Sequence, residues 1–127
     1  MKATNVAFTG IPVTDMRRTR RFYEGVLGLE LSEEMGGGVW VEYALGNDTL
    51  AIANIGAQWR PSDQGTAVAI EVDDFESAIN DLKAAKIEFA AEAMDTPCCR
   101  MAVVRDPDGN KVIVHKLKPE NERTECK

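Results

Sequence analysis

One local pattern occurs twice in this chain, and that repeat limits what it can fold into. Val13-Thr14-Asp15 opens an amphipathic stretch, and Val72-Asp73-Asp74 does so again, at an offset of 59 residues from Asp15 to Asp74. In the first copy, residues 4–13 are apolar with small side chains and no helical period, which predicts a strand. Thr14 or Asp15 can cap the helix that follows, where Met16, Thr19, Phe22, Tyr23 and Val26 recur at helical spacing. Gly28 offers a left-handed stop. Three strands are expected next: a short one from 29, then 39–45 after the flexible Gly36-Gly37-Gly38, then 49–55 after the turn Gly46-Asn47-Asp48.

Residues 56–65 read as a linker with Pro61, and the order then repeats. A strand is expected over 66–72. Asp73 or Asp74 caps a helix whose apolar face is Phe75, Ala78, Ile79, Leu82 and Ala85, with acidic residues at its start and lysines near its end, as the helix dipole favours. Strands over 87–91, 101–105 and 111–116 complete the copy, the last two joined by the tight turn 106–110. The charged tail, 117–127, is expected to fray. A strand, a helix and three strands cannot bury a sheet face alone. Two such modules, about 4–55 and 66–116, predict one α+β domain: tandem βαβββ units forming a half-open mixed sheet around a trough.

The bulk numbers exclude several functions. The chain has 127 residues, a net charge of −6 and a pI near 4.8, so it repels phosphate backbones and nucleic acid is not an expected partner. A cationic or neutral small molecule fits better. No apolar run approaches the roughly 20 residues of a membrane span, so no membrane partner is expected. The first residues do not read as a secretory signal, which makes the cytoplasm the expected location. Cys98, Cys99 and Cys126 are an odd set without a C-x-x-C, and read as free thiols.

Taken in order, several motifs resemble the vicinal-oxygen-chelate superfamily of glyoxalases, bleomycin-resistance proteins and extradiol dioxygenases. They are Val13-Thr14-Asp15-Met16, Phe22-Tyr23, Leu27-Gly28-Leu29, Glu71-Val72-Asp73-Asp74 and Asp106-Pro107-Asp108-Gly109-Asn110. The resemblance spans about residues 5–116. It implies the fold more than the reaction, since this fold serves lyases, dioxygenases, isomerases, epimerases and drug-binding proteins. It also implies frequent dimers, so a homodimer is expected. Metal-using members carry His, Glu or Gln on the first strand, Glu on the fourth, His on the fifth and Glu on the eighth. Those positions fall here on Phe8, Ala51 or Ile52, Ala67 and Ile113, and none has a side-chain donor for a metal. A one-residue slip on the fourth strand changes nothing, because 50–53 holds no polar side chain. Neither a metal at the usual place nor another cofactor is expected.

Strand alternation nominates further trough residues. Lys111 and His115 share a face with Ile113, Ala69 and Glu71 share one with Ala67, and Trp40, Glu42 and Ala44 share another that alone does not reveal inner from outer. Cys99 or Arg100 could enter as well. Each has an ordinary reading: a solvated His near the chain end, rim carboxylates, a core Trp40, an inert buried thiol. Trp59, in the linker, is less automatically buried and could act as a lid. Arg17, Arg18, Arg20 and Arg21 read as the solvated side of the first helix, with an anion patch as the sharper alternative. The leading expectation is a small-molecule-binding protein of the bleomycin-resistance type. Phe8, Trp40, Ile52, Trp59, Ala67 and Ile113 supply its surface, with Glu42, Glu71 and His115 as polar anchors. Two alternatives stay open: a glyoxalase-like lyase or dioxygenase with a metal relocated to Glu42, Glu71 and His115 or with a metal-free base, and a non-catalytic dimeric interaction module.

Overall fold

Two aspartates start the two helices. Asp15 accepts a hydrogen bond from the Arg18 amide and Asp74 from the Ser77 amide, each satisfying a donor that the first helical turn leaves open. The computed structural model describes residues 1–124. It divides into two units, Met1–Pro61 and a second from Ser62 onward, with the boundary inside residues 56–65.

In the first unit, β1 (Thr9–Pro12) leads to α1 (Met16–Arg20), and β2 (Glu30–Met35), β3 (Trp40–Leu45) and β4 (Asp48–Ala53) follow. They form a four-stranded mixed sheet in the order β1-β4-β3-β2, with β1 parallel to β4 and the other pairs antiparallel. The helix differs from the regular 16–26 expectation. After Arg20 it widens into a π-helical turn, Arg21–Val26, in which neighbouring Phe22 and Tyr23 are both buried. Gly28 then takes the left-handed conformation at φ 71°, as its position suggested. β1 is shorter than expected, because pairing with β4 begins only at Thr9.

The second unit repeats the order. It contains β5 (Val68–Glu71), α2 (Phe75–Ala84), β6 (Phe89–Asp95), β7 (Cys99–Arg105) and β8 (Lys111–Leu117), in the sheet order β5-β8-β7-β6. Again the first strand pairs parallel with the last. The architecture is α+β, built of tandem βαβββ modules. No helix among the described residues is long and apolar enough to cross a membrane.

Each helix covers one face of its sheet. In the first unit Tyr43 stacks on Tyr23 and its hydroxyl donates to Glu24 at 2.8 Å, so the face carrying Tyr43, Val41, Leu50, Ile52 and Ile11 meets the helix. Arg20 pairs with both Glu24 and Glu34. Arg20 therefore belongs to a network and not to the solvated side expected for the whole arginine cluster. The Arg20 guanidinium, more than the Tyr43 hydroxyl, holds the Glu24 carboxyl below the usual range against the opposing effect of burial, and burial followed by Glu24 pushes Tyr43 up. In the second unit α2 packs on β8, and Arg100 lies over the Phe75 ring at 4.7 Å. Val112, Val114, Ala102, Val104 and Ile70 make up that covered face.

Two further expectations are corrected. The described tail does not fray entirely: a 3-10 turn spans Glu120–Glu122, Arg123 Nε donates to the Lys118 carbonyl, and the Thr124 amide donates to the Pro97 carbonyl. Nor are the cysteines all free. Cys99 is a buried free thiol, Cys98 is disulfide-bonded, and Cys126 lies outside the described residues.

The β7–β8 turn is fixed by one buried carboxylate. Asp106 accepts from the amides of Asp108 and Asn110 and from Asn110 Nδ2, each at 2.9 Å, and Asn110 Oδ1 accepts from the Ser62 amide. Removing that carboxylate leaves buried donors unpaired. Asp106→Ala is expected to lower unfolding free energy by about 2–4 kcal/mol in urea titration, and a loss below about 0.5 kcal/mol would contradict this role.

Candidate functional site

The uncovered faces hold the candidate residues. On the first sheet, Glu42 faces Ala51 and Trp40 faces Ala53 across β3 and β4, while Gly10 faces Ala51 across β1 and β4. This register answers what sequence left open: Trp40, Glu42, Ala51, Ala53 and Gly10 share the face away from the helix. Phe8, two residues before Gly10, is on the same side. Ile52 is on the other face, fully buried against the helix side opposite Val41, so the open-face residue at this level is Ala51. That corrects the placement of Ile52 among the surface residues.

Three rings form a strip on this face. Phe8 meets Trp40 edge-to-face at 5.4 Å between centroids, and Trp40 lies 6.5 Å from Trp59 at an interplanar angle of 30°. Both are spacings at which aromatic pairs attract. Phe8 is 45% exposed, and both indoles are half-buried. The Trp40 Nε1–H donates to Glu42 Oε2 at 2.8 Å, which fixes the indole and turns a carboxylate onto the same face. β2 adds Glu33 opposite Glu42 and Met35 opposite Trp40.

Gly10 is the residue that sequence reasoning missed here. A Cβ at this position would come within 2.7 Å of Cη2 of Trp59 and 3.5 Å of the Phe8 ring. The glycine is there for that close approach, since its φ is not among the positive ones. Its place two residues after Phe8 was visible in the sequence. The ring above it, 49 residues on, was not.

On the second sheet, Ala69 faces Ile113, Glu71 faces His115, and His115 faces Met101. Glu71 Oε1 lies 2.5 Å from His115 Nδ1, and its Oε2 accepts from the Leu117 amide at 2.9 Å. Burial pushes the Glu71 carboxyl up, but the Leu117 amide and His115 outweigh it and hold the group below its usual range. Ala67 precedes β5 instead of lying within it, because pairing with β8 starts at Val68. Lys111 shares the face of Ile113 as alternation predicts, whereas Arg100 faces α2. Cys99 lies on the open side, its Sγ 3.1 Å from Thr96 Oγ1.

The donor set of a divalent metal is not assembled at the usual positions. Phe8, Ala51, Ala67 and Ile113 offer carbon only, which cannot replace a hydration shell. Among the described residues there is also no group of three His, Cys, Asp or Glu side chains able to hold an ion. These residues do not fit the family's metal.

The contact at Gly10 is open to test. Gly10→Ala should fold, because an extended backbone accepts alanine, while its methyl pushes the Trp59 indole away. In a Trp40→Phe background, which isolates Trp59, acrylamide quenching of the tryptophan fluorescence is expected to rise at least about two-fold. Unchanged quenching would show that the indole does not rest on Gly10.

Comparison with known proteins comes to the same architecture. The family model described as Glyoxalase/Bleomycin resistance protein/Dioxygenase superfamily matches residues 5–114. No curated protein sequence matches the chain. Among solved structures, the chain is similar to TnmS3, an antibiotic binding protein from Streptomyces sp. CB03234, at 21% identity and a TM-score of 0.77, over 93% of this chain and 99% of that one. It is similar to a glyoxalase/dioxygenase from Nostoc punctiforme at 19% identity and a TM-score of 0.76, over 91% and 92%. A lactoylglutathione lyase from Agrobacterium tumefaciens aligns at 20% identity and a TM-score of 0.72, over 91% and 95%. At these identities the structures speak to fold alone, and the family model carries the assignment: the chain belongs to the glyoxalase/bleomycin resistance protein/dioxygenase superfamily.

Proposed function

We propose that the protein binds a small, flat organic molecule on the open face of its first sheet, without the metal that enzymes of this superfamily use. The observation that carries this reading is the half-exposed strip Phe8–Trp40–Trp59, seated over Gly10. Rings held at fixed spacing present a large apolar surface at little entropic cost, because an aromatic side chain has few torsions to freeze. Glu42 supplies a carboxylate beside that surface, and Glu33 stands opposite it. Aromatic faces and carboxylates both attract cations, so flat molecules with a positive charge suit this face better than anions. TnmS3, of the same fold, is an antibiotic binding protein, so binding a small molecule is among the roles this fold serves.

An enzymatic reading has one observation in its favour. Glu71 holds His115 through Nδ1, an arrangement that can orient an imidazole as a general base. Such an activity would not need the missing metal ligands. The binding reading is preferred because the aromatic strip engages a ligand without any further group.

A thermal-shift screen of planar compounds, charged and neutral, tests the proposal. At least one cationic planar compound is expected to raise the melting temperature by several degrees and to quench tryptophan fluorescence. Trp59→Ala and Trp40→Phe should each weaken that compound at least about ten-fold, near 1.4 kcal/mol. No stabilising compound, or affinity unchanged in both variants, would overturn the reading.

A further inference from the structure

One row of side chains crosses the open face of the second sheet from edge to edge. Glu71 on β5 faces His115 on β8, His115 faces Met101 on β7, and Met101 faces Met94 on β6. Residues directly opposite on neighbouring strands have Cβ atoms about 4.5–5.5 Å apart. Met94 lies on the same side as Met101 because its neighbour Ala93 lines a small hollow on the helix side, with Phe75, Ile79 and Arg100. The row therefore brings two thioethers and the chain's only histidine into consecutive positions.

The geometry points to a binding site for a soft monovalent metal ion, Cu(I) or its analogue Ag(I), held by Met94 Sδ, Met101 Sδ and His115 Nε2. Thioether and imidazole donors select such ions and bind hard divalent ions poorly. Glu71 has the part that carboxylates take behind metal-bound histidines. It occupies Nδ1 and fixes the ring, and it is itself held by the Leu117 amide, so Nε2 is the nitrogen left to coordinate. Neither methionine serves as a core residue: Met94 is 41% exposed and Met101 half-buried. The next level of the same face is apolar, with Ile113 opposite Val103. The donors are three, which suits the low coordination numbers of these d10 ions. They lie outside the positions at which the superfamily places its metal, and the site does not depend on the aromatic strip.

The full-length protein can be titrated with Ag(I) while the methyl resonances of its five methionines and the His115 ring are followed by NMR. In a Cys99→Ser background, which removes the free thiol that would take Ag(I) first, one equivalent is expected to shift Met94, Met101 and His115 Nε2 and to leave Met1, Met16 and Met35 in place. In that background Met94→Leu with Met101→Leu, which keeps side-chain volume, is expected to weaken Ag(I) and Cu(I) at least about ten-fold in chelator competition. The proposal fails if no methionine shifts, if the shifts fall on the other three, if the double variant binds as before, or if Cys99→Ser abolishes binding.

Discussion

A single helix can cover only one face of a four-stranded sheet, and both units of this protein are shaped by that limit. The covered faces are closed in the ordinary way: Tyr23 and Phe22 meet Tyr43 and its neighbours in the first unit, and Phe75 and Leu82 are buried in the second. The other faces need a different solution. In the first unit the chain lays its own rings there, Trp59 over Gly10 and Trp40 beside it. In the second it leaves a mixed surface of alanine, isoleucine, methionine and one held histidine. The candidate residues of both units lie on faces that the helices do not reach.

The parallel pairing of first and last strands sets where chemistry can sit. It places β4 and β8 inside their sheets, and residues 50–53 are all buried. Small residues at Gly10 and Ala51 form a low floor, and a large ring can rest only on a low floor. A superfamily member that places a carboxylate or an imidazole at such inner positions obtains a metal centre. This chain places Phe8 and Ala51 there and obtains an aromatic surface instead. Glu42, directly opposite Ala51, retains a charge beside it, tied down by the Trp40 indole.

Much of the architecture was legible in the sequence because its signals are local. Asp15 and Asp74 cap helices through amides three residues on, and Asp106 organises a turn within four residues. What depends on register was not legible. β4 is apolar on both faces, so alternation leaves Ala51 or Ile52 open, and only the register places Ala51 on the open face. β5 starts at Val68 and leaves Ala67 outside it, since a strand begins where its pairing does. The Glu71–His115 contact spans 44 residues and the seating of Trp59 on Gly10 spans 49. Sequence could nominate Trp40, Glu42, Glu71 and His115, but only the pairing of strands brings each to its neighbour. The π-helical turn after Arg20 carries no sequence signal that spacing alone would reveal, because Phe22 and Tyr23 also suit an ordinary amphipathic helix.

Carbon-only side chains at the superfamily's four ligand positions do not fit its divalent metal, and the proposed function rests on that misfit. Divalent metal content measures this most directly. The protein would be saturated in turn with zinc, nickel, manganese(II) and ferrous iron, dialysed, and assayed by elemental mass spectrometry. The account predicts far less than one ion per chain for all four. Near one ion per chain or per pair of chains, for any of them, would contradict it.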